Sequence, residues 1–458
     1  MRKLIRVALA CSLTAGAVVL LLWPLLPAGA DDPVPWEEYG GMDGYYLARG
    51  WTDGYVSAPL VIPTPTPQPM RSMQAMPYSL WLPLAQRSPL RETRAVWVSR
   101  WDFRTLSDVQ SIVDKAAYAN LNVILFQVRG QADALYTPGL EPWSAVLSGT
   151  LGRHPGWDPL AEMITRAHNR GIEVHAWINV YPAWLGASAP LATARPEPMY
   201  HAFNRQQGDQ WVHWTQGPPA APTTLSSHYL WASPGNPAVV DHIVAVCRDL
   251  LQRYDLDGLH FDYIRYNDMG RPYSFDPVSQ AAYTAARAAN PSLTYGDWQR
   301  AQITAFLQRV HQEVLPARPE ARLTAAVWPI YDKTRYSWFP STGPGGYNDL
   351  YQDSEGWARG GLLSGIMPML YTQSVHGYRD RFEQLCHDFV GHSQPGSVFA
   401  GIQGDYTSFE EIAWRIETAR AAGARGQALF SYRLFDQNGY WPHLRNGPYK
   451  NVALPDWP

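Results

Sequence analysis

At 458 residues the chain has room for one large domain with appendages or for two domains. A formal net charge of -3 sets up no general attraction to nucleic acid or to an anionic membrane. Three cysteines exclude a disulfide framework. The 20 Trp and 26 Tyr are more than a core of this size requires, and their broad faces suit stacking on the C–H faces of sugar rings.

Arg2, Lys3 and Arg6 precede an apolar run from Val7 to Leu26, and Ala28-Gly29-Ala30 ends it. This is the pattern of an export signal with a small-residue cleavage site. The run also approaches the roughly 20 residues that span a bilayer, so a retained N-terminal anchor is the alternative. Pro24 and Pro27 favour cleavage, and Cys11 lies too early in the run for a lipoprotein signal. Residues 31–88 show no sustained period, and the alternating Pro and Thr of Pro63–Pro69 hold a chain extended with little to bury. The expected organisation is a signal or anchor (1–30), a low-structure spacer (31–88) and a folded domain (89–458). The protein is expected outside the cytoplasm or on the cell surface, with membrane attachment only through the N-terminal segment.

From Arg94 onward short apolar runs alternate with amphipathic helical patterns, the signal of repeated βα units and a parallel sheet. The predicted strands are Arg94–Ser99, Val123–Val128, Glu173–Asn179, Gly258–Ile264, Leu323–Trp328, Gly365–Leu370, Val398–Ile402 and Ala428–Tyr432. Eight such units predict an α/β fold of the (β/α)₈ TIM-barrel type. Ser107 with Gln110 and Ser408 with Glu411 read as capping boxes, and Asp158-Pro159 and Asn236-Pro237 as N-caps before a first-turn proline. Cys247 and Cys386 fall on helices on roughly opposite sides and read as buried hydrophobes. The long connections (130–157, 181–235, 267–295 and 329–348) all follow strands, on the face where barrels place their active sites.

Side chains alternate along a strand, so His260 and Asp262 share one face of the fourth strand, with Asp262 nearer the top. By the same alternation His175, Trp177 and Asn179 line one face of the third strand and form an expected sugar-binding wall. Arg129, Asp133, Glu141 and Trp143 follow strand two, Tyr371 ends strand six, Tyr432 and Arg433 end strand eight, and Asp405 follows strand seven. His260-x-Asp262 with His175 offers ligand types for a divalent ion, but no close His/His or Cys/Cys spacing supports one. No metal or cofactor is expected. A G-x-S-x-G elbow, a P-loop and a dinucleotide fingerprint are all absent from the sequence.

At these residues the chain resembles the bacterial "family 10 glycosyl-hydrolase-like" barrel domain. The segments that carry the resemblance run in order from Arg94-Ala-Val-Trp-Val-Ser99 to Gly365-Ile-Met-Pro-Met-Leu-Tyr371. Between them lie Phe126-Gln-Val-Arg-Gly-Gln-Ala-Asp-Ala-Leu-Tyr136, Glu141-Pro-Trp-Ser144 and Tyr254-Asp-Leu-Asp-Gly-Leu-His-Phe-Asp-Tyr263. The resemblance implies hydrolysis of a bacterial cell-wall or related glycan by two carboxylates. Asp262 is then the nucleophile or base, and Glu141 or Asp332 the general acid. Arg129, Asp133, His175, Trp177, Asn179, His260, Tyr263, Arg265 and Tyr371 are the expected substrate-binding residues. Two segments depart from the family pattern. Tyr263 stands where a second aspartate is usual, and Trp328-Pro-Ile-Tyr-Asp332 differs after strand five. Both bear on which residue is the second carboxylate and leave a sugar-binding barrel without hydrolysis as the alternative; a metal-dependent deacetylase is a third reading.

Overall fold

The computed structural model describes residues 89–217, 219–267 and 273–458. The expected signal or anchor and the spacer lie outside these residues. Eight parallel strands form one sheet: β1 (Thr93–Val98), β2 (Val123–Arg129), β3 (Glu173–Asn179), β4 (Gly258–Asp262), β5 (Arg322–Val327), β6 (Gly365–Pro368), β7 (Phe399–Gln403) and β8 (Gly426–Phe430). The order is β6-β5-β4-β3-β2-β1-β8-β7, and the bridges Ile366↔Val398 and Met369↔Gly401 close the sheet into a barrel. Each strand end lies within two residues of its predicted place. Strand β4 stops two residues early because Tyr263 turns into the left-handed region, at φ 51°.

The helices form for local reasons the sequence already carries. Asp158 and Asn236 accept from first-turn amides of Pro159–His168 and Pro237–Arg253, each with proline in the first turn. The second of these helices buries Val239, Ile243, Val244, Cys247, Leu250 and Leu251, an apolar stripe at helical spacing that packs on the sheet. One cap differs from expectation. The first helix, Leu106–Tyr118, is capped by Thr105 with Asp108 rather than by Ser107 with Gln110. Asp108 Oδ2 accepts from the Thr105 N–H and Asp108 N–H donates to Thr105 Oγ1, so the reciprocal pair sits two residues earlier. Ser408 is at the N-cap of Phe409–Ala421 but makes no side-chain cap bond. Cys247 and Cys386 are free and buried.

The C-terminal segment closes the base of the barrel. Leu454 exchanges backbone hydrogen bonds with Leu90 and Glu92, and the Trp457 ring stacks on His175 at 5.2 Å and meets Phe399 at 4.9 Å. Trp457 Nε1 donates to Glu173 Oε2 at 2.8 Å. Gly258 opens β4 at this level because a Cβ there would press on His175 and on the Arg322 carbonyl. At the other end the segment after β3 builds its own substructure. Pro182–Gly186 pairs antiparallel with Ser226–Trp231, Trp214–Thr215 with Ala221–Pro222, and helix Met199–Gln207 lies between them. Among the described residues no helix is long and apolar enough to cross a membrane.

Candidate active site

Asp262 ends β4 at the C-terminal mouth of the barrel, in register with Asn179 of β3. Its carboxylate is almost wholly buried, and Oδ1 accepts the Tyr263 backbone N–H at 2.6 Å. That bond depends on the left-handed turn at Tyr263, a conformation that costs a non-glycine residue on the order of 1–3 kcal/mol. The same turn aims the Tyr263 ring at Tyr229 and Trp231, with centroids 5.7 and 5.4 Å away. Arg265 then lies among three aromatic faces, with Cζ 5.4 Å from Trp231, 5.0 Å from Tyr263 and 5.4 Å from Trp328. Buried Gln352 ties the two strand ends together. Its Oε1 accepts the Trp328 N–H at 2.7 Å and its Nε2 donates to the Ile264 carbonyl at 3.2 Å. One side of the mouth is therefore an aromatic wall that holds a guanidinium close in sequence to a carboxylate.

The β2–β3 side is different. The Arg129 guanidinium donates to both Glu141 oxygens, at 2.8 to 3.1 Å, and to the carbonyls of Asn179, Val180 and Pro182. Glu141 also accepts from His242 Nε2 at 2.9 Å. Burial works to raise the Glu141 pKa, but Arg129 and His242 overcome it and hold the group at about 2. A general acid must carry its proton near neutral pH, so this environment is the reverse of what the expected acid at Glu141 needs. Arg129 is likewise committed to structure, since its nitrogens fasten the end of β3 and the Glu141 carboxylate rather than a ligand. Asp133 is buried, and burial raises its carboxyl pKa against the pull of Arg100 and Ser144. Asn179 donates to the Gly130 carbonyl at 2.9 Å and pins the loop after β2. Gly130 lets Arg100 pass, because a Cβ there would run into its guanidinium. Arg100 reaches Tyr229 Oη at 2.8 Å.

Four of the expected substrate-binding residues lie deeper than the mouth. His175 belongs to the base, under Trp457. Trp177 is fully buried in the barrel interior and offers no face to a ligand in this structure. His260 Nε2 accepts the Trp97 indole N–H at 2.9 Å while Nδ1 meets Thr324 Oγ1 at 2.9 Å. Burial, with His175 nearby, keeps His260 well below the usual histidine pKa, so it is a neutral link in the interior. Tyr371 stacks on Phe430 at 5.2 Å with its edge to Trp97, again in the interior. These placements have one cause. Alternation along a strand tells which side chains point inward but not at what height the barrel floor begins.

Asp332 follows β5, half-buried, with Oδ1 accepting from the Thr334 N–H and hydroxyl at 2.9 and 2.8 Å. A pair that the expected site residues did not include lies on the loops after β6 and β7. His376 Nε2 meets Asp405 Oδ1 at 2.9 Å, and its ring stacks on Tyr406 at 4.1 Å. The signal available for it was Asp405 directly after a strand, without any indication of its partner 29 residues away. Glu355, Asp388 and His392 converge elsewhere, but Arg335 already bridges the two carboxylates, at 2.7 and 2.9 Å.

Several named proteins are similar to this chain. "Glycosyl hydrolase DigH" of Escherichia coli is 27% identical over 326 residues, which is 66% of this chain and 66% of the relative. "Glycosyl hydrolase YngK" of Bacillus subtilis is 26% identical over 61% of this chain and 54% of the relative. The match thus spans just under two thirds of the first relative's length and about half of the second's. Among solved structures, the PgaB (BpsB) glycoside hydrolase domain from Bordetella bronchiseptica superposes with a TM-score of 0.52 at 14% identity. It covers 80% of this chain and 99% of that domain, a likeness of fold. The family described as Glycosyl hydrolase-like 10 matches residues 92–401, more than half of the chain, and the protein belongs to that family.

Proposed function

We propose that this barrel is a glycosidase that hydrolyses glycosidic bonds of an extracellular or cell-wall glycan, with Asp262 as the nucleophile or base. The observation that carries the reading is the presentation of Asp262. A carboxylate at the end of the fourth strand, on the face where barrels place their active sites, is oriented by the backbone N–H of a strained turn beside the rings that hold Arg265. The named relatives, both called glycosyl hydrolases, support the same class of reaction. Because Glu141 is held ionised, Asp332 is the better general acid of the two expected. It lies on the loop after β5 and is half-buried rather than locked between cations. In the reaction the acid protonates the leaving oxygen as the anomeric carbon gains positive charge, and the Asp262 carboxylate faces that carbon.

The positive n-region, apolar run and small-residue site at the N-terminus support export of the protein, and the alternating Pro and Thr support a spacer ahead of the barrel. The test is a panel of glycans, including peptide-free peptidoglycan strands, incubated with the protein and with Asp262→Asn. Release of new reducing ends by the native protein, abolished in the variant, is the expected result. Glycan binding without any release over long incubation would replace hydrolysis by a purely binding role.

A further inference from the structure

The insertion after β3 forms an open cavity of about 310 Å³ whose lining shares no residue with the mouth. Helix Met199–Gln207 supplies Tyr200 and Asn204, the turn after it Asp209, and the hairpin that follows Thr224, Leu225 and Leu230. Strand Ser226–Trp231 is the wall shared with the mouth. Leu230 faces the cavity, while its neighbours Tyr229 and Trp231 face Tyr263 on the other side.

The chemistry of the lining is selective. Leu225, Leu230 and the Tyr200 ring supply an apolar face, and Trp211 holds that ring edge-on, with centroids 6.4 Å apart. Asn204 Oδ1 is occupied by the Trp211 indole N–H at 2.7 Å, which turns the amide so that its NH₂ group is the end left to donate. The exposed Asp209 carboxylate accepts, and the Thr224 hydroxyl can do either. An acceptor, a donor and a hydroxyl beside an aromatic face match the vicinal hydroxyls and C–H face of a pyranose. Among the described residues no Lys, Arg or His lines the cavity, and the Asp209 carboxylate would repel an anion. A single carboxylate is also too few ligands for a metal ion. The volume lies at the lower end of small-molecule sites.

We infer that this cavity is a second carbohydrate subsite, which takes an uncharged sugar unit of the same glycan whose scissile bond lies at Asp262. The inference rests on the glycosidase reading for the identity of the ligand. A short oligosaccharide fills only the mouth, and a longer one passes the strand Ser226–Trp231 and gains the cavity.

The experiment is calorimetric titration of Asp262→Asn protein with dimers and hexamers of N-acetylglucosamine and of glucose. Tyr200→Ala and Asp209→Ala are made in that background, and melting temperatures are recorded alongside. The expected result is a hexamer that binds at least tenfold more weakly in either variant, a dimer that binds as before, and unchanged melting. Equal hexamer affinity in all three proteins overturns the subsite, and so does a loss shared equally by the dimer. Failure of every oligomer to bind the parent protein also overturns it, together with the carbohydrate reading. If the hexamer effect is found but Asp262→Asn leaves glycan turnover of the otherwise native protein unchanged, the subsite stands and the catalytic role of Asp262 falls. The milder substitution Asp209→Asn gives a second measure, since an amide keeps one acceptor and should restore part of the lost affinity.

Discussion

After β2, Arg129, Glu141 and His242 close on one another, and every guanidinium nitrogen is spent on Glu141 or on a carbonyl of the β3 end. After β4 the surroundings are of another kind. A backbone N–H orients the Asp262 carboxylate, and three aromatic faces surround the Arg265 guanidinium. Both carboxylates are buried, Glu141 paired with Arg129 from the end of β2 and Asp262 at the end of β4. A buried ion pair whose hydrogen bonds are complete fixes the backbone, because loss of either partner strands the other charge. The Asp262 carboxylate has a backbone N–H and a wall of rings around it instead of a closed ion pair. Burial and a strand-end setting are thus shared by both carboxylates; the chemistry of the surrounding side chains separates the two.

The sharpest way to break this comparison is at its two carboxylates. Asp262→Asn should lower turnover by several orders of magnitude with a melting temperature close to native, because the amide keeps the shape but cannot attack or accept a proton. Glu141→Gln should do the reverse. It leaves Arg129 without its counter-charge and is expected to cost about 3–5 kcal/mol in denaturant unfolding. The protein that remains folded should keep its kcat. A Glu141→Gln protein of native stability without turnover would return the acid to Glu141 and dissolve the contrast.

The barrel is legible in the sequence because its signal is local. Alternating strand and helix periods and Asp158 and Asn236 before prolines act within a few residues. The Arg129–Glu141–His242 cluster is not, since Arg129 and Glu141 are each visible as polar groups near strand two but His242 joins them from a helix 101 residues on. The height of the barrel floor is hidden for a similar reason. It is set by Trp457, which plugs the base from the far end of the chain and makes His175 a stacking partner. The insertion after β3 leaves little trace, because strands of two to six residues are too short for a periodic signal.

Trp177 gives the next test, on the depth of the mouth. It is fully buried in the interior, so Trp177→Ala should cost about 3–5 kcal/mol of stability. The KM of the folded fraction should be native. A raised KM at native stability would mean that the floor opens to this indole and that the mouth is deeper than the structure shows.

His213 supplies the mildest test, on how the aromatic side tolerates charge. It is fully buried and stacked on Trp231, Tyr266 and Tyr273 at 5.6 to 5.8 Å, and neither ring nitrogen has a hydrogen-bond partner among the described residues. Burial lowers its pKa from 6.5 to about 3. The folded protein then holds His213 neutral while the unfolded chain takes up a proton as pH falls below 6.5. The unfolded state binds more protons in that window, so His213 withdraws stability as pH drops and ceases to do so below about 3. The slope is about 1.4 kcal/mol per pH unit for one proton. Glu141 acts in a lower window: its stabilisation is complete above its ordinary 4.5 and is lost as pH falls through about 2. Between about pH 6 and 5 the two are therefore separable. His213→Phe keeps the stack, and in urea titrations it should remove roughly one proton's worth of slope over that interval while leaving stability at about pH 8 nearly unchanged. An identical slope in the variant would mean that His213 can be protonated in place, and that the aromatic side accepts a cation there as it does at Arg265.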